Sequence, residues 1–158
     1  MGKKKKDILE PGMRQISANK RARRDYEIED RIEAGIVLRG SEVKSLRAGG
    51  GSLNEAYGFI DNNDEIWLIG AHIPEYEWSN RYNHEPTRQR KLLLHAREIR
   101  RLAIRVRERG YALVPLRIYF RDAHVKVELG LGKGRKRYDK REVIKKRDQN
   151  RDMERELR

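Results

Sequence analysis

The side chains with the most evident chemistry are the 38 lysines and arginines of this 158-residue chain, set against 25 aspartates and glutamates. Lys and Arg neutralise phosphates and release their counterions, while an exposed Tyr or Trp can stack on an unpaired base. A net charge of +13 therefore points to an acidic polymer or surface. Tyr76, Trp78 and Tyr82 sit in one aromatic, polar stretch and suit either stacking on a base or packing over the end of a domain. Tyr138 differs, because it lies inside the basic run Lys133-Gly134-Arg135-Lys136-Arg137-Tyr138-Asp139-Lys140-Arg141 and has no core to join.

Other chemistries find no constellation. The absence of Cys removes disulfides, thiolate metal sites and cysteine nucleophiles together. His72, His84, His95 and His124 show no HExxH spacing, and His95 falls at a core-facing position of a helical repeat. Glu33, Glu42 and Asp122 could pair for acid-base or two-metal work, but no spacing forces two carboxylates together, and ordinary ion pairs are expected. Gly130-Leu131-Gly132-Lys133-Gly134 lacks the four-residue gap and Lys-Ser/Thr ending of a phosphate loop, so it reads as a flexible hinge. Neither an enzyme nor a cofactor or metal is expected.

The charge is unevenly placed. Residues 1–24 hold nine basic and two acidic side chains, residues 130–158 hold twelve and six, and residues 25–129 hold seventeen of each. Apolar residues follow the opposite distribution, so only the middle can bury a core large enough to offset the entropy of ordering. The expected organisation is a basic N-terminal arm (1–24), a β-barrel RNA-binding domain (25–132) and a basic C-terminal tail (133–158). No stretch has the roughly 18 apolar residues of a membrane span, and Lys3 to Lys6 lead into no apolar segment, so a soluble, cytoplasmic protein is expected.

Alternation positions these side chains first. Tyr26, Ile28, Ile32, Ala34, Ile36 and Leu38 fall on every second residue, broken at Asp30, which predicts a long strand with one wet face. Ser41 is placed to cap a short helix through Arg47. Tyr57–Ile60 and Ile66–Ile69 flank a cluster of turn formers and predict a hairpin, and residues 73–87 read as an irregular loop. Leu92, His95, Ile99, Leu102, Ala103 and Val106 repeat at three and four residues and predict one amphipathic helix ending before Gly110. Ala112–Arg121 and Val125–Leu129 predict a second hairpin, with Pro115 at an edge or a bulge. Asn19–Arg24 could form a short turn against the barrel.

Five or so strands with one long helix between the earlier and later sets predict a mainly β fold, an OB-like antiparallel barrel with flanking helices. An antiparallel sheet packed on a helix is the alternative. Glu142–Arg158 has strong helix formers and only four apolar groups, so this tail is expected to be disordered alone and helical on a partner, or else simply a solubilising extension.

Six runs then occur together in order: Asn19-Lys20-Arg21-Ala22, Glu33-Ala34-Gly35-Ile36, Gly40-Ser41-Glu42-Val43-Lys44-Ser45-Leu46-Arg47, Pro86-Thr87-Arg88 through Arg90-Lys91-Leu92-Leu93-Leu94, Val114-Pro115-Leu116 and Tyr138-Asp139-Lys140-Arg141. Over nearly its whole length the chain resembles the SmpB family of SsrA-binding proteins. The resemblance implies a bacterial adaptor that binds the tRNA-like domain of transfer-messenger RNA (tmRNA, SsrA RNA). It also implies delivery of that RNA to stalled ribosomes in trans-translation, with EF-Tu and alanyl-tmRNA as associated partners and the protein monomeric when bound. By motif it implies tmRNA contacts at Glu33, Leu93 and Lys126, with Asn19, Lys20 and Arg21 beside them. It implies that the tail occupies the decoding centre and the mRNA channel, through Lys133, Arg135, Lys136, Arg137, Tyr138, Asp139, Lys140 and Arg141, with Tyr138 stacking on an rRNA base. Gly50 stands where relatives often carry Lys. By composition alone, a structural ribosomal protein binding rRNA is the alternative.

Overall fold

The structure, a computed structural model, describes residues 11–79, 83–108, 110–135, 149, 151–153 and 155. Its elements run β1 (Met13–Ala18), α1 (Lys20–Asp25), β2 (Tyr26–Ile36), α2 (Gly40–Arg47), β3 (Tyr57–Ile60), β4 (Ile66–Ile69), β5 (Arg90–Leu93), α3 (Ala96–Val106), β6 (Tyr111–Arg121) and β7 (His124–Gly134). Every pairing is antiparallel. Strands β2, β7, β6, β3, β4 and β5 join in that order and β5 returns to β2, so six strands close into a ring. Strand β1 adds to the outer half of β6, pairing from Met13 with Arg121 to Ala18 with Arg117. This is the mainly β, antiparallel architecture with flanking helices expected above, and its ring of strands is compatible with an OB-like barrel. Among the described residues no helix is long and apolar enough to cross a membrane.

The core fills the ring. Leu46, Leu53, Ile66, Leu68, Ile73, Leu92, Leu113, Val127 and Leu129 are each at most 2% exposed, and Ile99 and Leu102 of α3 close over them. Burying apolar side chains inside a closed sheet also removes the unpaired strand edges that an open sheet would present.

The period-2 run in β2 holds, but it serves two faces. A bulge between Ile28 and Asp30 shifts the register against β7, at the position where Asp30 breaks the apolar alternation. Beyond it Ile32, Ala34 and Ile36 join the main core. Before it Tyr26 and Ile28 pack with Ala22, Val114 and Leu116 in a second, smaller cluster under α1. A matching bulge lies between Pro115 and Arg117 in β6, the bulge that Pro115 signals, though β6 is paired on both edges rather than being an edge strand.

Three expectations are corrected and one strand is added. The glycine run Gly130–Gly134 is no hinge: it is the end of β7, paired with both β2 and β6. A Cβ at Gly132 would lie 2.9 Å from the Tyr26 Cβ, and one at Gly130 would lie 3.1–3.2 Å from Leu116 and Ile28, so these glycines make room for the second cluster. Strand β1 was not legible as a strand, because its support is backbone pairing with β6 and the packing of Ile16 against the core rather than an apolar pattern. Helix α3 starts at Ala96, not at Leu92. Leu92 is a buried residue of β5 paired with Ile36 and Ile66, and His95 is the exposed N-cap rather than core-facing. Finally, Ser41 does not cap α2. Arg39 occupies that position, its backbone N–H donating to Glu42 Oε1 at 2.9 Å, and the Ser41 hydroxyl instead meets His84 Nδ1 at 2.9 Å.

Glu42 joins no carboxylate and is no surface ion pair. It is fully buried and accepts from Arg88 and from the equally buried Arg90. Arg90 donates further to the carbonyls of Ala71, Arg88 and Pro86 at 3.0 Å each, and His84 Nε2 meets the Ile73 carbonyl at 2.8 Å. Two of the recognisable motifs, 40–47 and 86–94, are thus held together by one buried charge network that fixes the ends of the 73–87 loop. In that loop the Tyr76 ring centre lies 5.8 Å from Lys44 of α2 and Trp78 is 78% exposed, while Tyr82 lies outside the described residues. Gly50 leaves little room for a side chain, with Pro74 and Ser45 3.1–3.3 Å from where its Cβ would stand.

Candidate nucleic-acid interface

Three neighbouring strands bring Glu33, Leu93 and Lys126 together. Gly35 of β2 pairs with Leu93 of β5 on one side and with Lys126 of β7 on the other. Having no side chain, Gly35 leaves a floor between them, and Glu33, Gly35, Leu93, Leu94, His95, Glu98 and Lys126 line an open depression of about 400 Å³. Leu93 is 52% exposed, so its side chain stands at the surface and is not held in the core with Leu92.

Glu33 is the best-anchored member. Its carboxylate accepts from the Tyr119 hydroxyl and from Arg121 Nη2 at 2.8 Å and Nε at 3.1 Å. Partial burial opposes its ionisation, but these hydrogen bonds and the charges of Arg121 and Lys126 outweigh it and hold the carboxyl below its ordinary value of 4.5. Burial and Glu33 together push the Tyr119 phenol well above its usual range, so it stays a donor. Glu33 faces Glu128 directly across the β2–β7 ladder, a like-charge pair that would destabilise the sheet if left bare. Arg117 at 2.8 Å and Arg31 at 3.5 Å neutralise Glu128.

This charged row leads to α1. Glu128 and Arg117 line a second depression of about 200 Å³ with Lys20, Arg23 and Gln15. Asn19, only 5% exposed, is committed to the fold: Oδ1 accepts from the Ala22 N–H at 3.2 Å, Nδ2 donates to the Pro115 carbonyl at 3.0 Å, and its own N–H donates to Leu116 at 2.7 Å. It is a helix cap of α1 tied to β6 through its side-chain amide N–H and its backbone N–H. The consequence is that the exposed Lys20 and Arg21 are held at a fixed place on the barrel.

On the other side of the first depression, α3 carries the exposed Arg97, Arg100 and Arg101. The helix is tied to β2 by Arg105 to Glu29 at 2.9 Å and Arg101 to Asp30 at 3.5 Å. The result is one face combining exposed cations, an exposed Leu and fixed polar groups, suited to phosphates and unpaired nucleotides rather than to bond-making. Among the described residues no group of three or more His, Asp or Glu is placed to hold a metal ion.

Of the tail residues singled out from the sequence, Lys133 is exposed in β7 and the Arg135 N–H donates to the Asp25 carbonyl at 2.9 Å. Lys136, Arg137, Tyr138, Asp139, Lys140 and Arg141 lie outside the described residues. Sequence reasoning missed Arg117, Tyr119 and Arg121. Their signal was present in the alternation with Ile118 and Phe120 along β6, which places all three on the outer face.

Residues 16–158 match the SmpB protein family. The SsrA-binding protein of Geobacter sulfurreducens is 53% identical over 147 residues, covering 93% of this chain and 95% of the relative. That of Thermobifida fusca is 51% identical over 158 residues, 100% of this chain and 98% of the relative, and that of Oceanobacillus iheyensis is 52% identical over 90% of this chain and 92% of the relative. A solved chain described under "tmRNA-SmpB: a journey to the center of the bacterial ribosome" matches with a TM-score of 0.66 at 44% identity, covering 81% of this chain and 93% of that one.

Proposed function

The chain belongs to the SmpB protein family, and from that membership we propose that it is a non-enzymatic RNA adaptor of the bacterial cytoplasm. It binds the tRNA-like domain of tmRNA and delivers it to stalled ribosomes in trans-translation. The observation that carries this reading is the convergence of Glu33, Leu93 and Lys126 from three strands on one depression, next to a helix whose cations are fixed by Asn19. Lys126 meets a phosphate, Leu93 covers apolar nucleotide surface, and Glu33 acts through the groups it orients, Tyr119 and Arg121. Lys20 extends the same face, Arg21 stands on the adjoining side of α1, and Asn19 serves by positioning both.

The tail makes the second engagement. Leaving the barrel at Arg135, it supplies Arg135, Lys136, Arg137, Lys140 and Arg141, with Lys133 of β7 before them, for rRNA phosphates at the decoding centre and in the mRNA channel, with Tyr138 stacking on a base and Asp139 beside it. EF-Tu joins through the alanyl-tmRNA that the adaptor carries.

Recovery of the full-length protein from a bacterial lysate, followed by sequencing of the bound RNA, tests the first engagement: tmRNA is enriched. A protein lacking residues 136–158 still binds the tRNA-like domain but no longer supports tagging of proteins from stalled ribosomes. Retained tagging would refute the tail's role. Cofractionation with all ribosomes through high-salt washing, without tmRNA, would refute the adaptor reading in favour of a structural ribosomal protein.

A further inference from the structure

A third concave site lies away from the Gly35 depression, next to Arg135. Between α1 and β3 the surface encloses about 220 Å³ lined by Arg21, Asp25, Tyr26, Asn54, Glu55 and Tyr57, among others. Its aromatic walls are fixed by the backbone. In β3 Gly58 must face inward, because a Cβ there would stand 2.8 Å from the Leu113 Cβ. Alternation then turns Tyr57 outward, 49% exposed. Tyr26 leans on the glycines of β7, whose missing side chains leave space for its ring next to Gly132 and Gly134. Directly beside it, the Arg135 N–H is bonded to the Asp25 carbonyl, so the basic tail departs from the rim of this same site.

The polar groups select among ligands. Two carboxylates, Asp25 and Glu55, disfavour a phosphate inside the pocket. They are instead acceptors for the N–H groups on the edge of a nucleobase, for which the Asn54 amide offers both a donor and an acceptor. Asp25 is 3.2 Å from Arg24, and Arg21, also on α1, is the cation able to take the adjoining phosphate. Two tyrosine rings supply the stacking face that an unpaired base needs.

We infer that the pocket between α1 and β3 receives a single unpaired RNA base, stacked on Tyr57 and Tyr26, next to the point where the tail leaves the barrel. The inference rests on the RNA-adaptor reading but concerns a site apart from Glu33, Leu93 and Lys126. The base comes either from the tRNA-like RNA or from ribosomal RNA, and the two sources are separable.

Full-length wild type, Tyr57→Ala and Tyr57→Phe are titrated against the isolated tRNA-like domain of tmRNA and, separately, against free small ribosomal subunits. In the arm that supplies the base, Tyr57→Ala weakens binding by about 5- to 150-fold, the loss carried by one base–aromatic stack. Tyr57→Phe, which keeps the ring, stays close to wild type. Circular dichroism of each variant shows that the barrel is intact, and Tyr57→Leu, which keeps bulk without a π face, follows the Ala variant. An unchanged affinity of Tyr57→Ala in both arms overturns the inference, as does an equal loss for the Phe variant. If the wild type fails to bind the tRNA-like domain yet the ring dependence appears on subunits, the adaptor reading falls and the pocket stands. If the wild type binds neither RNA, both fall.

Discussion

Replacing Glu42 by Ala should destabilise this protein more than any surface change, and the structure sets the size of the effect. Glu42 and Arg90 are both 0% exposed, and Arg88 is partly buried beside them. Burial opposes the charged form of Glu42, but hydrogen bonds from the Arg39 N–H, Arg88 and Arg90 more than compensate, and the carboxyl is held below its ordinary 4.5. Burial pushes the Arg90 guanidinium down from its ordinary value while Glu42 supports its charge, so both remain charged at neutral pH. Removing the carboxylate strands a buried guanidinium, which costs about 3–5 kcal/mol. For a domain of this size that corresponds to a fall in Tm of roughly 6–20 °C. Arg88 can still reach water, so Arg88→Ala should cost no more than about 1–2 kcal/mol. The sign of the pH dependence follows from the lowered carboxyl. Its stabilisation is fully present above pH 4.5 and is lost as pH falls through the folded-state value, so wild type shows an acid-unfolding limb that Glu42→Ala lacks. Urea titration between pH 7 and pH 3 measures both quantities. A loss below about 1 kcal/mol, or acid limbs of the same shape, would refute the assignment of a buried, ionised network. Well below the variant's Tm, affinity for the tRNA-like RNA should match wild type, because this network lies apart from the residues proposed to touch RNA.

Lys126→Ala should weaken binding to the tRNA-like domain and reduce the slope of log K against log salt by about 0.7–0.9, the signature of one lost phosphate contact, measured by filter binding across a salt series. Leu93→Ala, at a site 52% exposed, should cost under about 1 kcal/mol of stability by urea titration, so a larger loss of RNA affinity reports contact rather than packing. Tyr119→Phe removes a donor to Glu33 and should raise the Glu33 pKa towards 4.5, as seen by carboxyl NMR titration, while Arg121 remains paired. Gly132→Ala forces a Cβ to 2.9 Å from Tyr26 and should cost about 1–3 kcal/mol through overpacking, read by thermal unfolding.

Strand β2 could be placed from its alternation, and β3, β4, β6 and β7 from β-prone runs on either side of turn formers. Strand β1 could not, since the backbone of β6 supplies its partner and leaves little apolar signal in Met13–Ala18. The Leu92–Leu94 segment misled for another reason: a buried strand residue four positions before a helix continues the helical spacing by coincidence. The bulge in β2 was visible only as the odd residue Asp30, and no pattern of polarity told that the apolar residues before it belong to a different cluster. At the site, residue types were legible and their neighbours were not. Gly35, Tyr119 and Arg121 meet Leu93, Lys126 and Glu33 through pairings between strands far apart in sequence.

Strand β7 connects the two places where RNA is proposed to be held. Lys126 lines one depression and Gly134 ends the strand where the tail departs, eight residues further on. At about 3.3 Å per residue that is on the order of 25 Å. Because β7 is laddered on both edges along this stretch, to β2 and to β6, it can neither stretch nor slip without breaking the barrel. The protein thus acts as a calliper whose jaw width, from Lys126 to Gly134, is fixed by the barrel itself.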